Sequence, residues 1–471
     1  MEDRGFRVII VGGSIAGLTL AHCLHHANID HIVLEKRSEI APQEGASIGL
    51  WPNGSRILDQ LGLFEDIAGD TGKEREPLSR IHIAYPDGFV FSHDMPQLIY
   101  ERFGYGILFA ERQKILETLY RRYPDKSNIL LNRAVANIEK TDEGVSVRTA
   151  DGSSYHGTIV VGADGVHSRV RSEMWRLADS VSPELITLRE KQGLTAEYAC
   201  IYGISSSIPG LMSGENVNVY RSGFTALTFH SGEHVYWFMI KKLDRKYTYP
   251  DIPRFSLEDA EDLCAQFADV AISGDVSVRD VWDSRKVASM TAMEEGIFPT
   301  WTHGRIVLLG DAVRKMTVIT GQGANSAIED AAVLATILDR LNRCGEHKHH
   351  PTQQEIAIAL SEYQKTRYRR SKTIYDRSRF GVRAHTCDGL AKRLIGRYIM
   401  PHKTKHLAEA TSALMADAPR VDFLPLPGRS LTGWERYCTL TGNGRNSKVW
   451  WMLLCLVLII VWILLMDPRL R

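Results

Sequence analysis

Apolar residues run unbroken from Val8 to Val11, stop at Gly12-Gly13-Ser14, and then recur at Ile15, Leu18, Ala21 and Leu24. The first run has the character of a strand buried on both faces, and the second has helical spacing. The pattern predicts a strand over 7–11, a helix over 15–27 and a strand over 31–34. Residues 129–150 alternate in hairpin fashion around Asp142, Glu143 and Gly144. Short apolar runs at 158–162 and 305–309 predict two more buried strands. Runs of β-branched and aromatic residues at 198–204, 217–220, 224–229 and 235–241 are punctuated by Gly203, Gly214, Gly223 and Gly232. They predict a mainly antiparallel sheet interrupting an α/β domain. From Ala327 onward the period becomes helical, with helices over 326–341 and 353–375. The Pro- and Gly-rich stretch 415–444 reads as a linker. No internal repeat is visible.

Residues 449–466 form an apolar run with no charge, proline or glycine. As a helix the run reaches roughly 27 Å, near the hydrocarbon thickness of an endoplasmic-reticulum bilayer. Trp450, Trp451 and Trp462 stand near its ends, as interfacial aromatics do. The run is read as a single-pass C-terminal membrane anchor, with the body of the protein on the cytosolic side. The first residues include Glu2 and Asp3, and their apolar stretch is too short for a secretory signal.

Composition changes this picture little. The 471 residues suffice for two or three cores, and a net charge of +1 provides no field to attract nucleic acid. Seven scattered cysteines without a CxxC pair suit reduced thiols facing a cytosol.

Three motifs carry the chemistry. Gly12-Gly13-Ser14-Ile15-Ala16-Gly17 is a phosphate-binding turn between strand and helix. Gly12 allows the tight turn, Gly17 allows close packing, and Ser14 stands where the middle glycine usually does. Glu35, at the end of the second strand, is placed to hold the ribose hydroxyls of an adenosine. Gly162-Ala163-Asp164-Gly165 and Gly310-Asp311-Ala312 each put an aspartate beside glycine. The latter leads into Gly321-Gln322-Gly323-Ala324-Asn325, which opens a helix whose N-terminus suits the pyrimidine edge of a flavin. The first motif alone leaves NAD and FAD equal; the three together favour FAD.

With these motifs the chain resembles the group A flavoprotein monooxygenases, which share the para-hydroxybenzoate hydroxylase fold. Gly45-Ala46-Ser47-Ile48-Gly49-Leu50-Trp51-Pro52-Asn53-Gly54 and the N-terminal turn are most similar to the paxilline-type fungal prenyl epoxidases. The resemblance covers roughly residues 6–345. It implies an FAD-binding Rossmann-like α/β fold with an inserted antiparallel substrate domain, a helical C-terminal region and the transmembrane helix. The corresponding boundaries are 1–75, 111–185 and 296–345 for the FAD-binding domain. Substrate-domain segments occupy 76–110 and 186–295, the helical region and linker 346–445, and the anchor 449–466.

The resemblance further implies that Glu35, Gly49, Arg112, Asp311 and Ala324 contact FAD. Asp164 belongs to a motif shared between FAD and NAD(P)H, the reductant. Tyr220 is the expected catalytic tyrosine, with Tyr202 and Tyr236 as rivals. The chain departs from the family pattern at Arg314 and Val318, which replace a histidine and a proline. Arg314 is expected to act as a cation near the flavin.

The implied reaction is FAD-dependent epoxidation by O2 of a prenyl alkene on a prenylated aromatic or indole intermediate. It belongs to fungal meroterpenoid or indole-diterpene metabolism, with hand-over to a membrane terpene cyclase. A ring hydroxylase of the same fold and a non-catalytic flavin scaffold are the alternatives. No metal is expected, although His22, His25 and His26 share one helix and His347, His349 and His350 cluster.

Overall fold

The computed structural model describes residues 6–42, 45, 47–69, 76–141, 144–345 and 351–438. The strand Arg7–Val11 lies inside a six-stranded sheet, between Ile159–Gly162 and Asp30–Leu34, parallel to both. Ile306–Leu308 and Thr302–His303 extend one side and Ile129–Leu130 the other. Val8, Ile9 and Ile10 are fully buried, as an unbroken apolar strand covered on both faces must be. The helices Ile15–His26 and Gly323–Gly345 pack together on this sheet.

The eight-stranded sheet has the order Arg314–Lys315, Arg285–Ile297, Thr195–Ser206, His234–Thr248, Phe224–Ser231, Glu215–Arg221, Arg80–Ala84, Val90–His93. Only the pairing of Glu215–Arg221 with Arg80–Ala84 is parallel. One face buries Val217, Val219, Ala226, Trp237 and Met239 under the helices Leu257–Gln266 and Val278–Asp283. The other carries Leu227, Phe229, Tyr236, Phe238, Ile204 and Tyr202. A two-stranded ribbon, Ser47–Leu50 with Leu108–Glu111, pairs Gly49 with Phe109, and the Phe109 ring stacks on Phe229 at 3.9 Å.

Three expectations change. The stretch 129–150 is not one hairpin: Ile129–Leu130 joins the six-stranded sheet, and only Val135–Lys140 and Val145–Thr149 pair with each other. The chain turns at Asn132, between Leu130 and Val135, with φ +56°. The helix predicted over 353–375 runs on to His385. A capping box of Thr352 and Glu355 starts it, and it runs through Gly381, where Ile319 packs in the space a side chain would take.

The described part of 415–444 is no free linker. Arg56 donates to Ala418 O at 2.7 Å and lies 3.5 Å over the Trp434 ring, whose indole N–H donates to Phe103 O. Val421, Trp434 and Tyr437 supply apolar anchors that proline and glycine content conceals. The expected anchor, 449–466, lies outside the described residues. Among those described, no helix is long and apolar enough to cross a membrane.

Candidate cofactor and substrate site

The N-terminal turn is built from close approaches. Gly12 adopts φ +105°, and a Cβ there would sit 2.5 Å from Ala163 O. A Cβ on Gly17 would strike Gly12 O. No side chain caps the first turn of Ile15–His26, so its amides remain for an anion. Arg112 brings its guanidinium to this helix end, donating from Nη2 to Ser14 Oγ at 3.1 Å. Glu35 is buried, and its Oε2 accepts the Gly13 N–H at 2.6 Å. Ile40 lies where a Gly13 side chain would stand and lines an open groove of about 530 Å³ with Ser38, Gln113 and Arg121. An uncapped helix end, an arginine, a carboxylate and a groove fit a diphosphate carrying an adenosine.

Asp164 stands beside the glycine turn at a helix start. Its carboxylate accepts from Ser168 Oγ at 2.5 Å and from the amides of Arg169 and Val170 at 2.7 and 3.0 Å. Both oxygens are therefore engaged at the start of the helix Arg169–Val181. Burial raises its pKa against those donors. Asp164 is a positioning residue that fixes the loop beside Gly12.

Asp311 meets Lys315 at 2.6 Å, and that carboxylate holds the lysine pKa above its usual value. Gly310, with φ +62°, makes the turn, and its amide donates to Asp330 Oδ2 at 3.0 Å. Gly321, with φ +60°, closes the next turn, and Gly323 has open space where a Cβ would project. Ala324 packs against the core in the first turn of Gly323–Gly345. Asn325 joins these parts: its Oδ1 accepts from Trp51 N at 3.0 Å, and its Nδ2 donates to Gly49 O and Gly321 O, each at 2.8 Å. Gly49, Gly321, Gly323 and Ala324 thus converge at one helix end, facing the aromatic Phe109–Phe229 stack.

Arg314 is ion-paired through one nitrogen, while its Nε and Nη2 are buried with no partner among the described residues. It is 2% exposed, and its Nη1 contacts Asp330 Oδ2 at 2.6 Å. Arg367 bridges Asp330 and Glu329 at 2.8 and 2.7 Å, and Arg370 reaches Glu329 at 2.7 Å. Asn53 also donates to Glu329 and to Gln322. Sequence reasoning missed this network. Its signal was two adjacent acids in an apolar helix, with two arginines three residues apart on the next. Val318, in place of proline, is 39% exposed in the turn Val318–Thr320.

Tyr220 lies on the aromatic face of the eight-stranded sheet, away from the convergence of glycines. It packs against Tyr85 and His385, with ring centroids at 5.7 and 4.3 Å. Tyr202 is half-buried on the same face, and Tyr236 is buried beside Phe109. His22 turns inward, its Nε2 2.8 Å from Leu119 O, and burial lowers its pKa to about 4. Among the described residues no cluster of His, Cys, Asp and Glu could hold a metal; His347, His349 and His350 lie outside them.

The FAD binding domain family matches residues 6–177 and 217–355. The FAD-dependent monooxygenase nvfK of Aspergillus novofumigatus is 53% identical over 98% of this chain and 97% of its own length. The FAD-dependent monooxygenase andE of Emericella variicolor is 54% identical over 96% of this chain and 93% of its own. In three dimensions, HpxO of Klebsiella pneumoniae, solved with FAD and uric acid, superposes with a TM-score of 0.71. It covers 88% of this chain and 97% of its own at 22% identity, a likeness of fold. Family match, relatives and the geometry of the glycine turns agree: the chain belongs to the FAD binding domain family and is a group A FAD-dependent monooxygenase.

Proposed function

We propose that this monooxygenase epoxidises an alkene in the prenyl chain of a prenylated aromatic or indole intermediate, with NAD(P)H as reductant. The product would pass to terpene cyclisation in fungal meroterpenoid or indole-diterpene metabolism. Bound FAD, once reduced, would supply the chemistry that activates O2. The protein supplies placement and dryness. Arg112 and the uncapped helix end hold the diphosphate, Glu35 the ribose, and Asp311 the ribityl hydroxyls. The first turn of Gly323–Gly345 would face the pyrimidine edge of a bound flavin, where its dipole would favour negative charge.

The carrying observation is the face opposite. Across four strands it presents Tyr202, Phe238, Leu227 and Asn218 at one level, and Ile204, Tyr236, Phe229 and Asn216 at the next. None of these eight residues is a base able to ionise a phenol, whereas an alkene needs only orientation and exclusion of water. Conversion of a farnesylated phenol by the membrane-bound protein with FAD, NADPH and O2, followed by mass spectrometry, tests this. One added oxygen that opens to a diol in acid is expected. One that resists acid and shifts the aromatic absorbance would move the assignment to ring hydroxylation.

A further inference from the structure

One end of the same aromatic face carries polar atoms that no protein group satisfies. Tyr85 follows Arg80–Ala84 in the chain and is 8% exposed, yet its Oη has no hydrogen-bond partner among the described residues. His385, in the last turn of the long helix, has a buried Nδ1 in the same condition. Between them stands Tyr220, also 8% exposed, with Cys387 beside it. Buried polar groups are nearly always paired, so two orphans in one cluster call for a partner that the chain itself does not provide. Gly396 packs against that hydroxyl of Tyr85, and a Cβ there would lie 2.8 Å from Tyr85 Oη, so only glycine is accommodated. Gly396 belongs to a π-helical turn, Ile395–Ile399, a distortion found often at functional positions.

The cluster is uncharged. Burial lowers the His385 pKa to about 3, raises the Cys387 pKa and pushes the Tyr220 phenol well up. Nearby Arg397 is engaged by Asp87 at 3.0 Å and covers the Phe89 ring at 3.6 Å. Phenol hydroxyls and a neutral imidazole offer hydrogen bonds suited to a carbonyl or hydroxyl.

Register gives the cluster its place. Tyr220 pairs with Thr225, and Asn216 with Phe229, the residue stacked on Phe109 next to Gly49. Four residues separate the two levels, or about 14 Å along the strand. We propose that Tyr85, Tyr220 and His385 form a polar subsite for the uncharged, oxygen-bearing head of the substrate, whose hydrocarbon chain lies along Leu227 and Phe229 towards the flavin. This rests on the epoxidase reading, because it places the alkene rather than the ring at the flavin.

The test is titration of the full-length FAD-loaded protein and its Tyr85→Phe and His385→Leu variants, read by the flavin absorbance change. The probes are a farnesylated phenol and farnesylbenzene, which lacks the hydroxyl. Wild type is expected to prefer the phenol by about tenfold, and each variant to lose most of that preference. With NADPH and O2, Tyr85→Phe should raise KM for the phenol while kcat is held. Equal binding of both probes by wild type, or an unchanged preference in both variants, would mean that the cluster holds water alone and overturns the subsite. An epoxide product alongside that result leaves the epoxidase reading standing, whereas ring oxygenation overturns both.

Discussion

Arg314 and Asp330 form a buried ion pair at 2.6 Å, and the same Asp330 oxygen accepts the Gly310 amide at 3.0 Å. The residue that replaces the family histidine therefore anchors the turn carrying Asp311. Breaking one side leaves an uncompensated buried charge, so Asp330→Asn should cost about 3–5 kcal/mol in urea unfolding. Its FAD should also dissociate more readily on dilution. A variant as stable as wild type would mean that the pair does not hold the turn.

Gly17→Ala puts a methyl group into Gly12 O. That obstacle is backbone and cannot swing aside, so the strand and helix must part. The purified variant is expected to carry little flavin, as the flavin-to-protein absorbance ratio would report. Gly62→Ala is a useful contrast, because nothing stands within 4 Å of a Cβ there and only the positive φ opposes it.

Removing Glu35 deletes both the expected ribose ligand and the acceptor for Gly13 N–H. Glu35→Ala should weaken FAD binding about ten- to hundredfold, measured by flavin fluorescence on reconstitution of apoprotein. Glu35→Gln keeps an acceptor oxygen for the amide and should retain more affinity.

Acid should loosen the protein through Glu329. Burial alone would raise its pKa, but Arg370 and Arg367 override burial and bring it from 4.5 to about 2. A carboxylate depressed in the folded state contributes stability that is complete above the unfolded value and is lost as pH falls from about 4.5 towards 2. Unfolding free energy should fall across that window, and Glu329→Gln should start lower and fall less steeply. Parallel pH profiles would place the acid-sensitive group elsewhere.

The run 449–466 predicts that full-length protein stays with membranes through a carbonate wash. Deletion of residues 449–471 should release a protein that still binds FAD. Full-length protein released by salt or carbonate alone would refute the anchor.

The nucleotide half of the site was legible because its parts are local. Strand, glycine turn, helix and Glu35 lie within thirty residues, and backbone geometry dictates the residue types. What escaped depends on partners far apart in the chain. Asn325 acts on Trp51 and Gly49, and Arg367 acts on Glu329 and Asp330. Asp164 shows the converse: a motif residue whose carboxylate, once folded, serves a helix start. The long helix outruns the apolar period of 353–375, and its last turns meet partners distant in the chain, such as Ile319 at Gly381.

The helix beginning at Ile15 packs against the helix beginning at Gly323, and the cofactor-binding positions stand at the starts of both. During synthesis the first half of this clasp leaves the ribosome some three hundred residues before the second. FAD can therefore be gripped at both ends only after nearly the whole catalytic body exists.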